Sequence, residues 1–136
     1  MKLSKVDSAL IEQGCWVDDI PGFPGIRIRA RGAGNSDYRV MQGKMIREVP
    51  RERRPGGIIA PADEDRINGT LMLETVVIDI EGITENDEVT PIPYTKELGA
   101  KLFLDPDFRE WRSAAEYCAA IVAARRKADE ATDVKN

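Results

Sequence analysis

The chain contains no histidine. That removes Ser–His and Cys–His nucleophile pairs and every histidine-ligated metal site. Aromatic residues are scarce, at 6%, and the only cysteines are Cys15 and Cys118, far apart and without CxxC spacing. Two isolated cysteines are a poor zinc or redox signal, and in a reduced compartment they read as small buried hydrophobes. No apolar run approaches the roughly 20 residues of a membrane span. The longest candidate, Leu71 to Ile80, is interrupted by Glu74, Thr75 and Asp79. The opening Met1-Lys2-Leu3-Ser4-Lys5-Val6-Asp7 is polar and lacks the apolar segment of a secretory signal, so a cytosolic protein is expected. The sequon Asn68-Gly69-Thr70 is then an accident, because its use requires a secretory route. An excess of one sign of charge is also missing. Twenty Lys and Arg against 24 Asp and Glu give a formal net charge of −4, which argues against a dedicated nucleic-acid binder.

What is present is a 136-residue chain that fits one domain over 1–136 and is long enough to fold on its own core. Its charge is strongly patterned. Residues 26–54 hold nine bases against three acids, net +6, and residues 55–95 hold one base against nine acids, net −8. Such asymmetry either steers a partner or reflects two blocks that face each other inside one fold.

Local patterns predict the elements. Ala9–Gln13 reads as a short helix or turn ended by Gly14. Cys15-Trp16-Val17 reads as a strand, and Ile26-Arg27-Ile28-Arg29-Ala30-Arg31 alternates apolar and charged residues with the period of a half-buried strand. The dense Pro/Gly turn between them predicts a β-hairpin. Asn35 or Ser36 caps a helix whose stripe is Tyr38, Met41, Met45 and Ile46, ended by Pro50. Residues 51–61, rich in Gly and Pro, read as a flexible loop. Asp63-Glu64-Asp65 suits a helix start, and a helix is predicted to about Asp79, with Val76-Val77-Ile78 as a β-branched stretch that also suits a strand. Thr95 caps a short helix bearing Leu98, Leu102 and Phe103. The last helix starts at Asp105 or Pro106, follows Phe108, Trp111, Ala115, Cys118 and Val122, and carries Arg125-Arg126-Lys127 in its final turns. Residues 128–136 are polar and expected to fray. The expected fold is α+β: mainly helical, with a small N-terminal antiparallel β-hairpin or sheet and a long C-terminal helix.

Motifs for chemistry are weak. Gly32-Ala33-Gly34 lies between a strand and a helix, but a dinucleotide fingerprint needs glycine where Asp37 stands. Asp63 and Asp65 resemble the start of a calcium loop, yet Ile67 occupies a ligand position. Asp79 with Glu81, and Asp105 with Asp107, are pairs that suit acid–base work or Mg²⁺ but more often serve as caps. No catalytic, cofactor-binding or metal-ligating residue is assigned. The basic stretch from Arg27 to Arg54 interleaves only Tyr38, too little for a nucleic-acid stacking platform. Arg27, Arg29 and Arg31 on an exposed strand face instead suit an acidic surface or a protein partner. A small enzyme using the paired carboxylates is the remaining catalytic reading.

Three stretches in order carry a family resemblance: Trp16 to Arg31; Val76 to Thr84, with its Glu81-Gly82-Ile83-Thr84 turn; and Pro91 to Arg112, containing Pro91-Ile92-Pro93-Tyr94-Thr95 and Asp105-Pro106-Asp107-Phe108-Arg109. Their order and spacing resemble the tail assembly chaperones of tailed bacteriophages. Ile80 stands where that family often has an aromatic residue. The resemblance implies a non-catalytic helper in the host bacterial cytoplasm, without cofactor and without membrane or nucleic-acid partner. It would bind the tape-measure protein, keep it soluble and recruit tail-tube protein. It further implies homo-oligomers or association with a frameshifted long form. The alternative is a structural virion protein, a tail or head–tail connector subunit. A chaperone needs adaptable apolar surface, for which Tyr94, Phe108, Trp111, Met41, Met45 and Met72 are candidates unless they are core. The partner-binding set expected from sequence is Arg27, Arg29, Arg31, Tyr94, Phe108 and Trp111.

Overall fold

In a computed structural model, which describes residues 1–127, the chain forms five α-helices and a three-stranded antiparallel sheet. Helix α1 spans Ser8–Gln13, with the Asp7 carboxylate accepting from the Leu10 N–H and Gly14 ending it at φ 86°. Strands β1 (Cys15–Val17) and β2 (Arg27–Ala30) form the expected hairpin, with Trp16 opposite Arg29 and Val17 opposite Ile28. Alternation places Ile28 and Ala30 inward, both fully buried.

Helix α2 (Ser36–Glu48) is capped by Asn35, one of the two caps the sequence offers. It contains no fully buried residue; Tyr38, Met41, Met45 and Ile46 pack half-buried against the core. Arg54 donates to the Ile46 and Val49 carbonyls, setting a cation at the negative end of that helix. Two 3-10 turns, Arg51–Arg53 and Pro55–Gly57, lead to α3 (Pro61–Leu71), with proline at its first position.

The predicted helix to Asp79 is corrected here. Helix α3 stops at Leu71, a π-turn follows over Met72–Val76, and Val77–Glu81 is strand β3, paired antiparallel with β2. The register runs Arg27 to Glu81, Ile28 to Ile80 and Arg29 to Asp79, then slips so that Ala30 meets Val77. Ile78 is the extra residue of this bulge. The inward residues Val77 and Ile80 thereby sit three apart, a spacing that imitates a helical stripe.

Helix α4 (Lys96–Leu104) is capped by the Thr95 hydroxyl, 3.1 Å from the Leu98 nitrogen. It crosses α3 so closely that a Cβ on Gly69 would collide with the Phe103 carbonyl, so the Asn68-Gly69-Thr70 sequon lies inside a packed helix. A 3-10 turn, Pro106–Phe108, capped by Asp105, opens α5 (Arg109–Ala124). The α5 stripe Ala114, Ala115, Cys118, Ala119 and Val122 is buried, and its small side chains let the helix lie close on the sheet. Buried residues from every strand and from α3, α4 and α5 form one cluster.

Two further expectations are corrected. Arg125-Arg126-Lys127 do not continue α5; the chain leaves the helix and pairs with the N-terminal segment, Asp7 N–H donating to the Arg125 carbonyl at 3.1 Å and Lys127 N–H to the Lys5 carbonyl at 2.8 Å. Cys118 is fully buried, whereas Cys15 is only half-buried. The tail expected to fray, 128–136, lies outside the described residues.

Candidate protein-binding surface

The outer face of the sheet follows from strand alternation. Arg27 lies over the Trp16 ring, 4.7 Å from its centroid, and bonds Asp18 at 2.6 Å and Glu81 at 3.1 Å. These carboxylates hold its guanidinium above the usual arginine range. Arg29 is exposed between Trp16 and Asp79. Arg31 is different. Its side chain is only 18% exposed and is turned into the fold, where it donates to the Glu12 carbonyl at 2.7 Å and to Asp37 at 2.7 Å. Glu12 in turn accepts from the Ser36 hydroxyl and N–H at the start of α2, and those bonds lower its pKa. Arg31 therefore joins α1, β2 and α2 instead of offering a binding group.

Phe108 and Trp111 come together at the start of α5, both half-buried. The Phe23 ring meets Trp111 edge-on, centroids 4.7 Å apart, and the Lys101 ammonium lies 5.7 Å from the Phe108 centroid. Beside them the Ile20-Pro21-Gly22-Phe23 turn and α5 enclose a cleft of about 530 Å³, lined mainly by Ile20, Phe23, Ala114 and Tyr117. On the other side of Arg109 a second hollow of about 600 Å³ is floored by Phe103, Leu104 and Pro106 and edged by Arg66 and Arg112. Arg109, exposed and donating to the Pro106 carbonyl at 2.9 Å, lines both. The two hollows share Arg109 and are apolar at their floors, with Asp65 and Asp105 at the rim of one and Glu110 at the rim of the other, a mixed lining that suits an apolar helix face flanked by polar residues.

Tyr94 does not join this surface. It is half-buried over Gly99 and Leu73, so close that no side chain fits at residue 99, and its hydroxyl is buried with no hydrogen-bond partner. Burial, reinforced by Glu74 and Asp79, pushes its pKa up to about 12. Met72 is core, while Met41 and Met45 are half-buried on α2. Sequence reasoning missed Phe23, Arg109 and Tyr117. Phe23 carried a signal, since a Pro-flanked turn presents its central side chain; Tyr117 falls outside the α5 stripe and carried none.

The acidic pairs are engaged locally. Asp79 accepts from the Ile80 N–H, Glu81 pairs with Arg27, and Asp105 caps the turn into α5. Among the described residues no group of three or more Cys, Asp or Glu is placed to hold a metal ion, and no helix is long and apolar enough to cross a membrane.

No curated protein and no solved structure matches the chain. The profile of the YdaY prophage protein family matches residues 33–136, from the start of α2 onward and well over half of the sequence. The chain belongs to the YdaY prophage protein family and is of bacteriophage origin.

Proposed function

We propose that this prophage protein is a non-catalytic tail assembly chaperone that binds the tape-measure protein in the host cytoplasm and brings tail-tube protein to it. The observation that carries the reading is the cleft between Ile20–Phe23 and α5, with the second hollow across Arg109, on a chain of phage origin. A tape-measure protein is a long helical chain whose apolar face needs cover before the tube encloses it. The apolar floors of the two hollows would cover part of such a face, and the exposed Arg109 between them would favour a register with a carboxylate opposite. Two of the three stretches that resemble tail assembly chaperones, Val76–Thr84 and Pro91–Arg112, fall inside the family match.

The test is co-expression with the tape-measure protein of the same prophage. The expected result is soluble tape-measure protein that co-purifies with this chain, and a several-fold loss of capture with Tyr117→Ser, an exposed position. Equal insolubility with and without the chain overturns the proposal. Mass spectrometry of purified particles separates the structural alternative: stoichiometric presence in virions assigns the chain to the tail itself.

A further inference from the structure

The two charge blocks are used unevenly in the fold. Of the basic block, Arg27, Arg31, Arg53 and Arg54 are held by carboxylates or carbonyls of the same molecule. Arg39, Lys44 and Arg47 are exposed and make no ion pair among the described residues. All three lie on the outer face of α2. Lys44 and Arg47 follow Val40 at helical spacing, and Arg47, about two turns beyond Arg39, lies across Gly43. Val40 at their centre is 73% exposed. Of the acids on this helix, Asp37 is tied to Arg31 and Glu48 sits at the flank.

The acidic block has the opposite remainder. No base occurs between Arg66 and Lys96. Past β3 the chain doubles back, with Ile92 N–H donating to the Ile83 carbonyl at 2.8 Å and Glu85 N–H to the Thr90 carbonyl at 2.9 Å. Asp87 fixes the tip by accepting from the Val89 and Thr90 N–H groups and the Thr90 hydroxyl. Glu85 and Glu88 remain exposed without an ion pair, and Val89 between them and Thr90 is 78% exposed.

Strand register separates the two patches. Helix α2 departs from the Ala30 end of β2, which faces Val77; the acidic tip departs from the Glu81 end of β3, which faces Arg27. A basic face around one bare valine and an acidic tip around another thus leave opposite ends of the same strand pair.

We propose that the outer face of α2 docks the acidic tip of a second copy of this chain, with Glu85 and Glu88 meeting Arg39, Lys44 and Arg47 and Val89 covering Val40. The contact is head-to-tail, so each copy keeps one patch open and growth continues until a ring closes or a filament forms. With few apolar atoms and exposed charges the contact is weak and sensitive to salt. It does not rest on the tail assembly reading, and its test uses no tape-measure protein.

The test is sedimentation velocity of the full chain, with a charge swap. Wild type is expected to self-associate at low salt and to weaken about tenfold or more at roughly 0.5 M salt, where charges are screened beyond a few ångströms. Lys44→Glu with Arg47→Glu, and separately Glu85→Lys with Glu88→Lys, are each expected to be monomeric. Mixed one to one they should associate again, because the native acidic tip of the first pair meets the native basic helix of the second. All four positions are exposed, and melting curves check the fold of each variant. Monomeric wild type at low salt and about 1 mM, variants that associate like wild type, or a mixture that stays monomeric each overturns the proposal.

Discussion

Asn35 shows how much one polar side chain holds. It is fully buried, yet every polar atom is used: Oδ1 accepts from the Tyr38 N–H at 2.9 Å, and Nδ2 donates to the Gly32 carbonyl at 3.0 Å and the Thr75 carbonyl at 2.8 Å. One residue caps α2, closes the turn before it and ties both to the π-turn ahead of β3. Asn35→Ala removes a cap worth about 1 kcal/mol and takes the side-chain donor from the buried Thr75 carbonyl, while the Gly32 carbonyl keeps the backbone N–H of residue 35, so a loss of roughly 2–4 kcal/mol is expected. Denaturant unfolding measures it, and a loss under about 1 kcal/mol would mean that the site relaxes to admit water. The capping role was legible from Asn35 followed by a helical pattern. The bond to Thr75 was not, because it spans 40 residues and depends on a turn that no local rule announces. Likewise the alternation that set Arg27, Arg29 and Arg31 on one face was readable, while the inward turn of Arg31 toward Glu12 was not.

At the scale of elements, legibility followed locality. Helix α5 was readable because its buried stripe is written in consecutive turns, and the hairpin because its Pro/Gly turn joins its strands directly. Strand β3 was misread for a physical reason: its bulge puts Val77 and Ile80 on one face at a helical interval, and its partner lies about 50 residues earlier. The end of α5 failed for a similar reason. Basic residues suit a helix C-terminus, but here Arg125 exits to meet the N-terminal segment, a contact across nearly the whole chain. The Arg125 guanidinium donates to the Trp16 carbonyl at 3.1 Å and lies 2.8 Å from the Cys15 sulfur, covering the free edge of β1. Arg125→Met should therefore cost about 1–2 kcal/mol through the lost charged hydrogen bond. It should also speed the reaction of Cys15 with a thiol reagent several-fold while leaving buried Cys118 slow. An unchanged Cys15 rate would show that Arg125 does not shield that edge.

Across the whole molecule, burial couples two weak acids to global stability. The core raises the Cys118 thiol from its ordinary 9.0 to about 12, by desolvation that nearby Arg125 only partly offsets. It raises the Tyr94 hydroxyl from 10.0 to about 12. Both groups are neutral when protonated, so folding favours the protonated form of each. An unfolded chain releases those protons near pH 9 and 10, whereas the folded chain holds them. Stability is thus full below pH 9 and falls as pH rises toward 12, since the native state then binds more protons than the unfolded one. Tyr94→Phe separates the two contributions. It deletes a hydroxyl that has no partner, so at neutral pH the variant should be as stable as wild type or more stable by about 1 kcal/mol. Above pH 10 it should lose stability less steeply, keeping the decline due to Cys118 and to Tyr38, whose hydroxyl pKa burial also raises. Denaturant midpoints from pH 7 to 11 read both effects; a variant less stable at neutral pH would mean that the hydroxyl is bonded and that the packing over Gly99 differs from the geometry described.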